Sequence, residues 1–275
     1  MNCKWIVEDF NDDTFTKDLV SAIKESGRCL DLTTYKPFRQ GLCLQFHKDN
    51  CCVFHGSIQM AIQLREEKNP DWVLLTPENY LCSKFYPLVK DYLFNDKYEI
   101  ISASQLRERK WEMYEKYGKE ALIFVRPDNG IKTFTGQTID LQDFDRVWGG
   151  TQNTQFNVKD DDLVVVSTPK NIQGEWRFIC SKLREIIGCS TYIYQGQRTY
   201  IPSAPTGARE LCEQILKNGY FPDLAFAIDI CQGVDGMFYF MEYNAFSSCG
   251  LYSCNKKDIV DKVSELVEYK YYIGK

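Results

Sequence analysis

Two short apolar runs, Phe221 to Cys231 and Met237 to Tyr243, flank an Asp235-Gly236 pair, and both runs carry acidic side chains. Asp-Gly between apolar segments is a strong short-range hairpin signal. If Asp235-Gly236 is a two-residue turn, Asp229 stands directly opposite Glu242, and Asn244 shares the Glu242 face because strand side chains repeat every second residue. Phe226, Ile228 and Ile230 make the other face apolar, which pins the register. Gly233 is the point where a bulge would slip the pairing and separate the two acids. Like charges facing each other destabilise a sheet, and burying either one without a partner costs several kcal/mol. A single strand acid reads most simply as solvated, but three coordinated positions favour a divalent cation held by Asp229, Glu242 and Asn244. Oxygen-only ligands of this kind suit magnesium, which commonly shares its coordination sphere with nucleotide phosphates.

The 275 residues suffice for one large domain or two modest ones. Hydrophobic residues at 44% and charged residues at 26% are those of a soluble globular chain, so a self-sufficient core is expected. A net charge of -5 offers no general attraction to nucleic acid or anionic membrane, which disfavours both as partners. The first residues lack a basic segment followed by an apolar one, and no run of about 18 apolar residues occurs. A cytoplasmic protein without a membrane span is expected; the sequence sets no oligomeric state. The 12 cysteines include no Cys-x-x-Cys, and the 2 histidines, His47 and His55, do not make a zinc site with them. Cysteines such as Cys3, Cys180 and Cys231 read as buried reduced thiols, with Cys249 and Cys254 as the exposed ones. Scarce histidine also argues against a Cys-His nucleophile.

Along the chain, strand and helix signals alternate first: a strand at Cys3 to Glu8, a helix at Asp13 to Ser26, a strand at Cys51 to His55 and a helix at Ser57 to Glu67. This is a small α/β unit. Asn69-Pro70 interrupts it, a tyrosine-rich stretch from Asn79 to Phe94 contains Pro87, and a charged helix from Ser104 to Tyr117 ends at Gly118. A boundary is placed there, giving units 1–118 and 119–275. Beyond it β signals dominate: Ala121 to Arg126, Leu163 to Ser167, Glu175 to Cys180, Ile186 to Tyr194 and the hairpin. Helices at Pro205 to Lys217 and Lys256 to Tyr269 complete an α+β pattern with antiparallel sheets.

Between Phe124 and Gln137 an Asn129-Gly130 turn brings Arg126 and Lys132 together beside a Thr135-Gly136 loop. Two readings stand: a phosphate cradle of cations and free backbone amides, or edge-strand charges that discourage aggregation. Neither a P-loop nor a dinucleotide fingerprint is present. Glu175 and Arg177 share one strand face while Trp176 points the other way, and a local Glu175–Arg177 ion pair is the simpler account of them. The strand Leu163 to Ser167 stops at Pro169, leaving backbone groups that an adenine ring, a loop or water would satisfy.

Read in order, these segments resemble an ATP-grasp enzyme, most of all the bacterial and phage clade named for two arginines and one lysine. The matching pieces are Arg126 and Lys132 in F-V-R-P-D-N-G-I-K-T-F-T-G, Glu175 and Arg177 in G-E-W-R-F, Asp229 in A-I-D-I, and Glu242 with Asn244 in M-E-Y-N-A-F. The likeness covers roughly Ala121 to Tyr252, with a weaker one around F-H-G-S-I-Q, which looks like the small domain preceding the grasp. It implies an α/β N-terminal unit followed by an α+β ATP-grasp domain with ATP and Mg2+ as cofactors. By the same resemblance, Lys132 contacts phosphates, the Ser167 backbone meets adenine and Glu175 meets the ribose or adenine edge. Arg177 with Arg126 stabilises the transferring phosphoryl group, and Asp229, Glu242 and Asn244 hold magnesium. The implied reaction is ligation of a small-molecule or peptide carboxylate to an amine or thiol through an acyl phosphate. A kinase on the same fold, and a nucleotide-binding interaction module without catalysis, are the alternatives. The phosphate-covering loop is reduced here to Thr135-Gly136-Gln137-Thr138, a departure from the larger ligases of the superfamily.

Overall fold

The computed structural model describes residues 3–10, 13–34, 51–68, 72–148 and 158–273; His47 and the Asn69-Pro70 interruption lie outside them. Near the N-terminus β1 (Lys4–Glu8), β2 (Leu30–Thr33) and β3 (Cys52–His55) form a parallel sheet in the order β2-β1-β3. Between β1 and β2 runs α1 (Thr14–Glu25), whose Asp13 cap accepts the Thr16 N–H at 2.8 Å. After β3 comes α2 (Ile58–Lys68). Both faces of this sheet are buried, as parallel strands require: Ile6 and Phe54 meet Met60 and Leu64 of α2, while Trp5, Val7 and Val53 meet Leu19 and Ile23 of α1.

The tyrosine-rich segment folds as α3 (Cys82–Phe85) and a 3-10 turn holding Pro87. Then come β4 (Tyr98–Ser102), α4 (Ala103–Glu108) and α5 (Lys110–Tyr117). The single helix expected over Ser104 to Tyr117 is two, because Arg109 leaves helical geometry with φ -99 and ψ 20. A reciprocal Ser102–Gln105 cap opens the first of them. With β5 (Leu122–Pro127), β6 (Gln137–Asp140), α6 (Phe144–Trp148) and β7 (Leu163–Ser167) the chain completes an antiparallel sheet in the order β4-β7-β5-β6. A second antiparallel sheet, β10-β9-β8-β11-β12, is built from β8 (Ile172–Ser181), β9 (Ile186–Tyr194), β10 (Gln197–Ile201), β11 (Ala225–Gly233) and β12 (Phe238–Ala245). Its apolar face is covered by α7 (Thr206–Lys217) through Leu211, Ile215 and Leu216. The chain closes with α8 (Lys256–Ile273). No helix among the described residues is long and apolar enough to cross a membrane.

The division at residue 118 falls inside the first antiparallel unit. β4 pairs along its length with β7, from Tyr98 opposite Ser167 to Ser102 opposite Leu163, so residues 98–117 fold with the strands on the far side of the division. In the other direction, α8 packs back on the N-terminal sheet through Ile259, Val260 and Val263. Its Ser264 hydroxyl accepts the buried Trp5 indole N–H at 3.0 Å. Ser264→Ala strips that donor of its partner, and a loss of about 1–3 kcal/mol is expected, read as a lower urea midpoint. Cys249 and Cys254, expected to be exposed, are buried at the base of α8, where the chain packs against Phe246 and Ile259; Cys29 is the exposed thiol among the described residues.

Candidate active site

The β11–β12 hairpin sets Asp229 opposite Glu242, by a route that differs from a two-residue turn. Gly233 N–H bonds the Met237 carbonyl at 3.0 Å, so the loop holds three residues, Val234, Asp235 and Gly236, and Gly236 takes φ +80. That alone shifts the register by one. A second irregularity between Asp229 and Ile230, opposite Met241, shifts it back, and the two offset each other. The bulge has a further effect, because Phe240 is buried in the core while Met241 and Glu242 both line a cleft. Without it, Phe240 and Glu242 would share a face.

Around Asp229 the polar groups form one connected network. Arg177, its neighbour on β8, forks the carboxylate with Nε at 2.8 Å and Nη2 at 2.6 Å, and both residues are almost fully buried. The expected Glu175–Arg177 pair gives way to this one: Glu175 instead accepts the Tyr192 hydroxyl at 2.6 Å. Arg126 and Lys132 both reach Glu242, at 2.8 and 3.1 Å. They meet there across a wide loop, since β5 next pairs at Val125 with Gln137, and Asn129-Gly130 is not a two-residue turn. Asn244 Nδ2 donates to Asp229 Oδ2 and to Glu242 Oε1, each at 2.9 Å.

These contacts divide the acids electrostatically. Burial opposes ionisation of Glu242, yet Lys132 and Arg126, with the Asn244 amide, hold its carboxyl well below the usual carboxylate range. Burial raises Asp229 against the pull of Arg177, and the Glu242 charge raises it further. Glu175 is also raised by burial, and its Tyr192 hydrogen bond opposes the shift.

The network faces a cleft of about 550 Å³ between the two antiparallel sheets. Arg126, Lys132 and Gly136 line it from one sheet, and Glu175, Arg177, Asp229 and Glu242 from the other. Asn244 lies behind them. Ser167 is fully buried in β7, outside the lining, and its hydroxyl has no protein partner. The connector just after it lines the cleft through Lys170 and Ile172, and Lys170 is tied to the Phe94 carbonyl and Asp96. Phe94, Lys170, Ile172, Tyr192, Met241 and Tyr252 are lining residues that sequence reasoning did not single out. Lys170 comes directly after the strand-ending Pro169 and Tyr252 closes the segment after Asn244, which are the two signals the sequence held.

Beyond Tyr252 is a second cavity of about 380 Å³, lined on one side by His55. His55 Nε2 lies 3.0 Å from the Cys249 carbonyl, and burial pushes the ring down to about 4 from its ordinary 6.5. Because the unfolded chain then takes up this proton first, the neutral ring stabilises the fold above pH 6.5 and that contribution is lost as pH falls toward 4. The loss should be about 2 kcal/mol, allowing for water reaching the ring from the cavity, and His55→Asn should remove that part of the pH dependence of urea midpoints.

The donor set fits a hard divalent cation. Asp229 Oδ2 and Glu242 Oε1 are bridged by one amide group, and turning the Asn244 amide over would place Oδ1 between them, giving three oxygens from three side chains. Two antiparallel sheets enclosing a cleft of paired acids and cations define an ATP-grasp fold. The family model for the ATP-grasp domain, family 2 of the clade named for two arginines and one lysine, matches residues 100–262. The chain belongs to that family. Among solved structures, the chain is similar to the D-cycloserine synthetase DcsG at 10% identity, covering 96% of this chain and 99% of that one, with TM-score 0.63. It is similar to the ATP-grasp ligase PsnB complexed with minimal precursor at 12%, 97%, 100% and 0.57 for the same quantities. For the D-alanyl-alanine synthetase A of Vibrio cholerae O1 biovar eltor str. N16961 they are 11%, 99%, 99% and 0.59. No curated protein sequence matches the chain.

Proposed function

We propose that this chain is an ATP- and magnesium-dependent ligase that joins a carboxylate to an amine through an acyl phosphate. The observation that carries the reading is the convergence of Arg126, Lys132, Asp229, Glu242 and Asn244 on one wall of the cleft between the sheets. Asp229, Glu242 and Asn244 hold magnesium, which when bound neutralises phosphate charge and polarises the phosphoryl group for attack. With Glu242 engaged as a ligand, Arg126 and Lys132 are released toward phosphate oxygens. Arg177 stays forked on Asp229 and adds positive potential at the cleft floor. Glu175 and Tyr192 meet the nucleotide's sugar or base edge, and the Thr168–Asn171 connector offers backbone groups to adenine. Such a site acts by positioning and electrostatics, so it needs no strong base at the phosphoryl group.

The donor is a small-molecule or peptide carboxylate, and peptide or protein modification is compatible with the open cleft. The precursor-bound PsnB structure shows a related fold in complex with a peptide. Mg-ATP should raise the thermal midpoint, with about 2.7 kcal/mol of added stability at a hundredfold excess over Kd. Hydroxylamine added to turnover mixtures with a panel of carboxylates should trap a hydroxamate. Calorimetry showing no uptake of Mg-ATP would overturn the reading, and ADP formation that yields a stable phosphate ester would favour a kinase instead.

A further inference from the structure

The cavity of about 380 Å³ behind Tyr252 differs in character from the nucleotide cleft. The cleft is lined by Arg126, Lys132, Lys170 and Arg177 and suits an anion. Among the described residues lining the second cavity, none carries a positive charge; they supply the Asp13 carboxylate, neutral His55 and a set of aromatic rings. Tyr200 stacks on Tyr252 at 5.6 Å between centroids, and Phe15 meets the Tyr200 ring edge-on at 4.9 Å. Lys256 lies 5.6 Å from the Phe15 ring but is held by the carbonyls of Tyr252 and Cys254, the latter at 3.0 Å. A carbonyl oxygen only accepts, so the His55 contact with Cys249 fixes the proton on Nε2 and leaves Nδ1 as an acceptor.

The wall between the two spaces is thin. Tyr252 lines both, and the Arg177 guanidinium lies 5.0 Å from its ring centroid. Arg177 Nη1 donates to the Gly250 carbonyl at 3.2 Å, and Gly250 lines the second cavity. One space that selects anions therefore adjoins another that selects amines.

We propose that the second cavity binds the amine co-substrate, a primary amine bearing an aromatic or branched aliphatic side chain, with its nitrogen at His55 Nδ1 and its apolar body against Phe15 and Tyr200. This rests on the ligase reading above. Aromatic faces attract an ammonium and Asp13 adds a negative charge at the rim. A volume of this size accommodates an amino-acid-sized ligand. On reaction the ammonium gives one proton to water, and the nitrogen lone pair attacks the acyl-phosphate carbonyl carbon. The carbon–nitrogen bond forms, the carbon–oxygen bond to phosphate breaks, and inorganic phosphate leaves with the second nitrogen proton. His55 orients the nitrogen as a hydrogen-bond acceptor and sets amine specificity.

The test is calorimetric titration of the full chain with phenylalaninamide, a primary amine with an aromatic side chain and no carboxylate. Binding is expected, weakened about ten-fold in His55→Asn and in Tyr200→Ala, with N-acetylphenylalaninamide weaker by a similar factor. Tyr200 is 39% exposed, so its truncation leaves the fold intact and serves where His55→Asn does not fold. No binding of phenylalaninamide, or equal binding by wild type and Tyr200→Ala, overturns the proposal. A parallel Mg-ATP titration reports separately on the ligase reading: its failure removes that reading, while amine binding still decides what the cavity takes.

Discussion

Asp229→Ala is expected to abolish nucleotide-dependent turnover and to lower folding stability by about 3–5 kcal/mol, because it leaves the buried Arg177 guanidinium without its counter-charge. The geometry leaves little room for rescue. Arg177 has side-chain exposure of 7% and Asp229 of 1%, and the fork is made through two nitrogens. The Gly250 carbonyl takes only one of the remaining hydrogens. Arg177→Met alone should cost a similar amount by stranding the carboxylate, whereas the double substitution should cost less than the sum. Urea denaturation of all four forms gives the coupling energy, and additive losses would show that the two residues do not act as a unit. Activity separates the roles, since the double variant recovers stability but regains no magnesium ligand.

This pair also marks the limit of what the sequence could show. Strand identity, face and the meeting of Asp229 with Glu242 are local properties of one hairpin, and the alternating apolar residues Phe226, Ile228 and Ile230 specify them. Even there, agreement depends on two irregularities that cancel: a three-residue loop at Val234 to Gly236 and a bulge opposite Met241. The Arg177–Asp229 contact is another matter, because it joins β8 to β11 across more than fifty positions and no local period encodes that pairing. Sequence reasoning therefore assigned Arg177 its near neighbour Glu175. The division at 118 fails for the same reason: β4 precedes it and pairs with β7 beyond it. Cleft residues on connectors, such as Phe94 and Lys170, carry no periodic signal, and Ser167 shows that a strand end beside a cleft need not turn its side chain toward it.

Glu242→Gln is expected to weaken Mg-ATP binding by at least about ten-fold, by removing an anionic ligand. It should also destabilise the nucleotide-free protein by about 2 kcal/mol, a cost that falls on Arg126. Lys132, with 43% of its side chain exposed, swings into water when the acid is gone, whereas Arg126 at 14% cannot. Lys132→Ala should thus cost under about 1 kcal/mol while still weakening ATP binding. The pH dependence supplies the sign. The folded Glu242 carboxyl is depressed, so its contribution is complete above the ordinary carboxylate range and is lost as pH falls below it. Wild-type urea midpoints should fall in that acid window more steeply than those of Glu242→Gln. Parallel curves would mean that the two cations do not hold Glu242 in solution, and that Arg126 and Lys132 are already turned toward the place where phosphate binds.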